Sequence, residues 1–185
     1  MKHVILAVLV FSSGLLPLMA GETDRQSRYL LNLSWSLGYE AQPEVFSRTS
    51  MLGVGFLLFA HDSLNIQNHS TYSSGIMNRE DSGIKLYQHV LTEKVTVGVM
   101  SRNGLFRPYG LLEGRIGLCG LSKHSIFENP VIGKVGIGTG LDIFPLDTWS
   151  FFFELGFLGN IYHDEFIMQQ RFEIGVKTHL VPLRK

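Results

Sequence analysis

The sequence has few charged residues, a single cysteine and only one long apolar run. Charged residues make up 17% of the chain, whereas about a quarter to a third is usual for the surface of a soluble protein. Cys119 has no second cysteine to pair with, which excludes an internal disulfide. Lys and Arg (16) balance Asp and Glu (16), so the net charge gives no reason to expect nucleic acid as a partner. Apolar residues reach 45%, and they must therefore be distributed over short segments.

The one long apolar run lies at the N-terminus and has the layout of a secretory signal peptide. Lys2 gives a basic start, residues 4–16 are almost uninterruptedly apolar, and small residues follow around Ala20. The run falls short of the ~20 residues that a membrane-spanning helix needs, which disfavours a retained anchor. We therefore expect residues 1–20 to be a signal peptide cleaved near Ala20, and residues 21–185 to form one domain.

From residue 29 onward the dominant hydrophobic period is two, as in β-strands with two chemically different faces. The first segment, residues 29–40, alternates apolar with polar or small residues over about the 9–11 positions that cross a bilayer in a tilted strand. In the second, Leu52, Val54, Phe56, Leu58 and Ala60 share one face. Similar segments recur at residues 105–119, 131–143, 149–157 and 168–180.

The stretch from Leu64 to Arg102 is the least regular part of the pattern. Residues 64–72 alternate poorly, and Val90 has the opposite parity to Val95, Val97 and Val99. Either one long strand contains a bulge, or a hairpin turns at residues 92–94. We predict one bent strand and therefore eight strands in total, because single-chain outer-membrane barrels have even strand numbers; ten is the alternative.

Turn signals separate the segments at suitable intervals. Asn103-Gly104 and residues 145–148 predict short turns. Longer polar connections are predicted at residues 41–50, 73–82, 121–130 and 160–165. Short turns that alternate with longer loops are typical of an outer-membrane barrel.

The composition of the two strand faces decides between a membrane barrel and a soluble one. A lipocalin-like barrel turns its polar face to water, where long charged side chains should be frequent. Here the polar face is mostly Gly, Ser, Asn and Thr, which fit the narrow interior of an eight-stranded barrel. The apolar face carries too much aromatic bulk for such an interior, whereas lipid accepts it. We therefore predict an all-β fold: a closed, antiparallel, up-and-down transmembrane β-barrel with both termini on the periplasmic side.

This orientation assigns two sets of side chains. The set predicted to face lipid is Leu33, Trp35, Leu37, Phe56, Ile137, Trp149, Phe151, Phe153, Phe157, Phe172 and Ile174. The set predicted to point into the lumen is Glu113, Arg115, Lys134, Asp142, Glu154, Arg171, Glu173 and Lys177. Isolated charges would be unfavourable there, so we expect a salt-bridged structural plug; a polar lining for a pore is the alternative.

Two stretches resemble a known superfamily. Arg107-Pro108-Tyr109-Gly110 is similar to the start of the fifth strand of small outer-membrane barrels. Residues 135–142, Phe144-Pro145 and Trp149-Ser150 resemble the sixth strand, the turn and the seventh strand of the same group. The group includes OmpA-like, OmpX-like, OmpW-like and opacity-type barrels. The resemblance covers residues 104–158 and implies an architecture rather than a specific function.

The expected function is that of a non-enzymatic protein in the outer membrane of a diderm bacterium, with its loops acting as a cell-surface anchor or interaction surface. Outer-membrane lipid and the barrel-assembly machinery are the expected partners, together with an extracellular partner of the loops or a small hydrophobic ligand. One alternative is a narrow, porin-like channel for small hydrophobic molecules, as in OmpW-like barrels, motivated by Leu57, Phe59, Phe152 and Leu158 on the nominal inner face. The other is a soluble lipocalin-like ligand-binding barrel.

No motif predicts a cofactor, a metal site or a catalytic set. The glycines of residues 136–140 have strand spacing rather than phosphate-loop spacing, and no helix pattern follows them. His163-Asp164-Glu165 lies in a predicted loop without further ligands at metal-site spacing. Cys119 is expected to be an inert thiol, because no His stands in a recognisable relation to it.

Overall fold

The structure, a computed structural model, describes residues 29–42, 45–61, 63–79, 85–102, 104–120, 131–146, 148–160 and 168–182. The predicted signal peptide and His163-Asp164-Glu165 lie outside these residues. The described chain forms eight strands: β1 (Tyr29–Gln42), β2 (Val45–His61), β3 (Leu64–Arg79), β4 (Lys85–Val99), β5 (Phe106–Gly120), β6 (Val131–Leu146), β7 (Trp149–Asn160) and β8 (Met168–Pro182). Among the described residues, no helix is long and apolar enough to cross a membrane.

The eight strands form one closed barrel in which every neighbouring pair is antiparallel. Each strand pairs with the next in the chain, and β1 closes the barrel against β8, with Trp35 opposite Val176 and Tyr39 opposite Phe172. Closure leaves no free sheet edge among the described strands. The predicted eight-stranded up-and-down barrel is confirmed.

The barrel has two different rims. β2–β3, β4–β5 and β6–β7 are joined at one rim by residues 62–63, 100–105 and 147–148, and β1 begins and β8 ends there; we call this the short-turn rim. The other rim carries the connections at residues 43–44, 80–84, 121–130 and 161–167, and we call it the loop rim because it has the two longest connections, residues 121–130 and 161–167. At the short-turn rim, Gly104 adopts φ = 70°, a conformation that a residue without Cβ takes readily.

Side chains alternate between a buried inner face and an exposed outer face along each strand. In β5 the alternation is complete from Phe106 to Gly117, with the even-numbered residues outside. The outer face is apolar: Ile137 is 63% exposed and Leu112 61%. The inner face holds most of the buried polar and charged residues. This distribution of polar and apolar side chains is the reverse of the one found in a soluble protein.

β4 is one continuous strand, as predicted, but the predicted bulge is wrong. Its registers with β3 and β5 run without a shift, and Thr92 pairs with Thr71 on one side and Arg115 on the other. Val90 is 6% exposed and points inward, whereas Val95 and Val97 point outward. The change of parity in the sequence therefore reflects apolar residues on the inner face, Leu86 and Val90, and not an irregular backbone.

Two predicted loops, residues 41–50 and 73–82, are mostly strand instead. β2 begins at Val45 and β3 continues to Arg79, so residues 45–50 and 73–79 belong to the barrel wall. Ser47, Thr49 and Ser73 are at most 5% exposed and line the interior. The inner face of this barrel is polar, and a run of polar residues is therefore not a loop signal here.

An irregularity in β2 reverses part of a predicted face. The register with β3 shifts between Leu57 and Phe59, which is a β-bulge. Beyond it, Ala60 is 5% exposed and turns inward, so the predicted face through Leu58 and Ala60 is wrong at its end. Phe59 is paired with the outward-facing Ile66, and paired residues share a face. The prediction that Phe59 lies on the inner face is therefore also wrong.

Candidate functional site: the charged interior

Among the described residues, eleven charged side chains point into the barrel, each at most 6% exposed. They include all eight of the charges assigned to the lumen from the sequence. The three that the sequence reasoning missed are Glu40, Lys94 and Arg107. Strand parity could have found them: Arg107 has the parity of Glu113, and Lys94 that of Thr92 and Thr96.

The middle layer of the interior is centred on two cations and two carboxylates. Lys94 Nζ lies 2.5 Å from Glu154 Oε2 and 3.2 Å from Glu173 Oε2. Arg171 Nη2 lies 2.5 Å from Glu154 Oε2 and also forms an ion pair with Glu173. Ser36 Oγ donates a hydrogen bond of 2.6 Å to Glu173 Oε1. Each carboxylate is therefore shared between two cations.

A second layer lies closer to the loop rim. Arg115 donates from Nε and Nη2 to Glu113 Oε2, at 3.2 and 3.1 Å, and forms an ion pair with Glu40. Lys134 Nζ donates to Glu40 Oε2 and to Gln169 Oε1, both at 2.7 Å. Glu40 thereby bridges β5 and β6 from the opposite wall of the barrel.

One contact joins these two layers. Arg171 Nη1 lies 3.2 Å from Glu113 Oε1, within ion-pair distance. Neither atom has a partner with hydrogen-bond geometry among the described residues, so the contact is electrostatic rather than a directed hydrogen bond. Arg171 consequently faces three carboxylates and is the most connected charge inside the barrel.

The third layer lies toward the short-turn rim. Arg107 Nη1 donates to Asp142 Oδ2 at 3.0 Å, Arg107 Nη2 donates to Thr96 Oγ1 at 2.9 Å, and its Nε bonds Asn65. Lys177 Nζ donates to Asp142 Oδ1 at 2.7 Å. Both oxygens of the carboxylate are satisfied by cations, as a buried carboxylate requires.

Tyr109 connects the third layer to the middle one. Its hydroxyl donates a hydrogen bond of 2.8 Å to Glu154 Oε1. The Arg107 guanidinium carbon lies 4.8 Å and Lys177 Nζ 5.3 Å from the centre of its ring, within the range of cation–π attraction. The three layers therefore form one connected network along the barrel.

The charges are distributed unevenly around the wall. Nine of the eleven arise from β5 to β8, and the interior of β1 to β3 is lined largely by small residues. An added Cβ at Gly53 would lie 2.4 Å from Thr71 Cγ2, and one at Gly55 would lie 2.5 Å from Asn32 Nδ2. The small wall leaves room for long charged side chains that extend from the opposite wall.

The residues predicted to face lipid all project outward. Ten of the eleven are at least 38% exposed; the remaining one, Phe56, is partly covered by its neighbours. The outer face also carries polar residues that were not anticipated, and among them Glu93 in β4 points outward. It accepts hydrogen bonds from Ser70 Oγ at 2.9 Å and Asn68 Nδ2 at 3.3 Å across the β3–β4 pair. These two donors offset the desolvation of its carboxylate.

One contact resembles a catalytic pair in its geometry. Ser150 Oγ and His179 Nε2 lie 3.0 Å apart at the short-turn rim. Ser150 is 1% exposed and His179 8%, so a substrate carbonyl has no access to the hydroxyl. The described residues also include no group of three His, Cys, Asp or Glu side chains that could hold a metal ion. The interior charges neutralise and pack against one another through the ion pairs described above.

No protein-family model matches the sequence, and no curated protein matches it significantly. Several solved structures share its fold. Neisserial surface protein A aligns with a TM-score of 0.55 at 7% identity, over 82% of this chain and 97% of that one. Ail, the attachment invasion locus protein of Yersinia pestis, in complex with the heparin analogue sucrose octasulfate, aligns with a TM-score of 0.51 at 14% identity, over 83% and 98%. The outer membrane enzyme PagL aligns with a TM-score of 0.46 at 13% identity, over 80% and 99%. The chain has the fold of the small eight-stranded outer-membrane β-barrels.

Proposed function

We propose that this chain is an outer-membrane protein without enzymatic activity. Its barrel would anchor the loop-rim connections at the cell surface, where they interact with extracellular molecules. One observation carries the proposal: apolar side chains cover the outside of the barrel, while a connected ion-pair network fills its inside. Such a surface is unfavourable in water, and such an interior is unfavourable unless its charges are paired. Lipid is the environment that fits the outer face.

The interior supports an anchor rather than a channel. An eight-stranded barrel has room for little beyond its own side chains, and here long charged chains span it in three layers. The alternative of a narrow hydrophobic channel has weaker support. Phe152 and Leu158 do point inward, but Phe59 does not, and Lys177 Nζ lies 4.6 Å from the Phe152 ring centre. The rims are therefore the part of the barrel that remains available for function.

The first test is where the protein resides. We expect the mature chain in the outer-membrane fraction, with an electrophoretic mobility that differs before and after boiling because the folded barrel resists the detergent. N-terminal sequencing of the same sample should begin at or near Gly21. A protein in the soluble fraction with no mobility shift would contradict the membrane placement and favour a soluble lipocalin-like barrel.

The second test separates the loop rim from the short-turn rim. An epitope inserted between residues 125 and 126 should be accessible to antibody on intact cells. A matched insertion between residues 147 and 148 should be accessible only after the outer membrane is opened. Equal labelling of both on intact cells would contradict the orientation.

A third test addresses the channel alternative. Small hydrophobic solutes should cross vesicles that contain the protein no faster than protein-free vesicles, and faster passage would favour the channel.

A further inference from the structure

The outer wall of β2, β3 and β4 has a polar region near the loop rim. On these strands Leu52, Tyr72 and Leu91 form a row of exposed apolar side chains, which are paired through the sheet and 62%, 46% and 39% exposed. The next outward row toward the loop rim is Ser50, Ser74 and His89. In the membrane placement proposed above, we place the hydrocarbon boundary on this side of the barrel between the two rows.

Above this boundary lies a depression of about 480 Å³ on the outer face. It is lined by Arg48, Ser74, Ile76, Asn78, Lys85 and Tyr87. The strand registers create it: Arg48 pairs with Ile76 and Ile76 with Tyr87, while Asn78 pairs with Lys85 one row further out. Two cations and an aromatic ring thus surround a small apolar floor. We call this feature the outer cation pocket.

The two cations of this pocket differ from those inside the barrel. All six interior cations are paired with carboxylates. Among the described residues, neither Arg48 nor Lys85 has a carboxylate within salt-bridge distance, and both are exposed. Arg48 lies over the Tyr39 ring, with its guanidinium carbon 5.3 Å from the centroid, which holds the side chain against the wall beside the pocket.

The height of the pocket identifies the partner chemistry. Ile76 lies about three residues beyond the midpoint between the Tyr72 and Ser74 rows, which at about 3.3 Å per residue and a strand tilt of about 40° is roughly 8 Å outside the hydrocarbon boundary. Headgroups occupy the first ~5–8 Å outside the hydrocarbon, so the pocket lies at the outer edge of the headgroup layer. Guanidinium and ammonium groups at this level bind phosphate oxygens, and basic pockets at membrane proteins bind anionic headgroups.

We propose that the outer cation pocket binds a phosphate group of a lipid in the surrounding leaflet, with Arg48 and Lys85 as the ligands and the acyl chains packed on the apolar surface below. The proposal rests on the membrane placement given under the proposed function. A soluble phosphate lacks the acyl chains and would bind only through the two cations.

Lipid retention measures this site directly. The mature barrel is placed in neutral phosphatidylcholine nanodiscs that contain phosphatidic acid, and retained phosphatidic acid is counted by native mass spectrometry. Arg48→Gln and Lys85→Gln should each lower the retention constant about fivefold, and the double variant roughly 25-fold. Arg102→Gln, an exposed cation near the short-turn rim, is the matched control and should have no effect. Inorganic phosphate at millimolar concentration should not displace the lipid.

The outcomes separate the possible failures. Equal retention by wild type and the double variant would overturn the proposal. Displacement of the lipid by inorganic phosphate would overturn the proposal that the bound phosphate belongs to a lipid, and it would indicate a site for soluble anions. Boiling-dependent mobility of each variant shows that the barrel is folded, since both side chains lie outside it. If the wild type never enters the nanodisc, the membrane placement fails and the lipid site fails with it; insertion without selective retention removes the lipid site alone.

Discussion

Replacing Arg171 with Met tests whether the interior is a dry, neutralised network. Arg171 is 2% exposed and faces Glu113, Glu154 and Glu173. At an effective dielectric constant of about 20, an ion pair at ~3 Å contributes about 5 kcal/mol before desolvation, so removing the guanidinium leaves buried carboxylates without that compensation. Without it, Glu154 and Glu173, which are directly paired across β7 and β8, share Lys94 as their remaining close cation.

We expect Arg171→Met to lower the free energy of unfolding by about 3–5 kcal/mol, a large part of the ~5–15 kcal/mol typical of a folded domain. Urea unfolding in lipid vesicles, followed by the fluorescence of Trp35 and Trp149, measures this change. Arg102→Met removes the same group from an exposed position and should change stability by at most about 0.5 kcal/mol.

A double variant isolates the charge imbalance from the lost packing. Glu154→Gln removes one of the carboxylates that Arg171 neutralises, so Arg171→Met combined with Glu154→Gln should be more stable than the sum of the single effects predicts, by about 1–3 kcal/mol. If Arg171→Met costs no more than Arg102→Met, water screens the interior charges. The description of the interior as a neutralised plug is then refuted.

Three further predictions concern other parts of the barrel. Ile137→Arg places a cation near the middle of the outer apolar face and should lower the free energy of unfolding in lipid vesicles by about 2–4 kcal/mol. Phe46→Arg, near the loop rim, should lower it by only about 0–1 kcal/mol. Equal effects would contradict the proposed membrane depth of the two residues. Gly140→Ala brings a Cβ within 2.4 Å of the Tyr109 ring and should destabilise the barrel by about 1–3 kcal/mol in the same unfolding assay. The Cβ of Gly110→Ala would lie in open space on the outer face, so this variant should be as stable as the wild type. The reverse order would show that the two faces are misassigned. Ser150→Ala should lower the free energy of unfolding by about 1 kcal/mol, because the hydrogen bond to His179 is lost. Serine-reactive phosphonate probes should leave the wild-type protein unmodified. Labelling of Ser150 would show a reactive hydroxyl and contradict the proposal that the protein is not an enzyme.

Much of the fold follows from the period of the hydrophobic pattern. A strand with one apolar and one polar face has only one acceptable orientation, since a slip by one residue would exchange the faces. The segments that begin at Tyr29, Trp149 and Met168 satisfy this condition over most of their length, and the structure has strands at each. The short turn at residues 147–148 was predictable for the same reason, because both flanking segments are strongly alternating.

The irregular parts could not be predicted because the relevant cue is not local. Val90 is apolar yet inside the barrel, where its neighbours across β4 and β5 decide what fits. The bulge at Leu58 exchanges the faces of everything beyond it, and no residue in β2 marks it in advance. Ser47 and Ser73 suggest a loop only if polar residues are assumed to face water, an assumption that a polar interior removes.

The charged site was predictable as a set but not as a network. Parity alone places Glu113 and Arg171 on the inner face, whereas their contact depends on how far each strand is shifted along its neighbours. Glu40 and Lys134 are separated by 94 residues and meet only because the barrel is closed. The outer cation pocket depends likewise on the register of three strands, so no sequence window contains it.

The pairing of β1 with β8 has a consequence for how the barrel assembles. β1 is complete as a segment once residue 42 has been synthesised, yet its partner spans Met168–Pro182 at the far end of the chain. Until that strand arrives, the backbone N–H and C=O groups along one side of β1 have no partner, a state that hydrocarbon does not tolerate. Contacts so distant in sequence form slowly, because a long loop must close first. In the membrane placement proposed above, the chain therefore has to be kept unfolded or guided until β8 is available, and the barrel inserts as a whole rather than one hairpin after another.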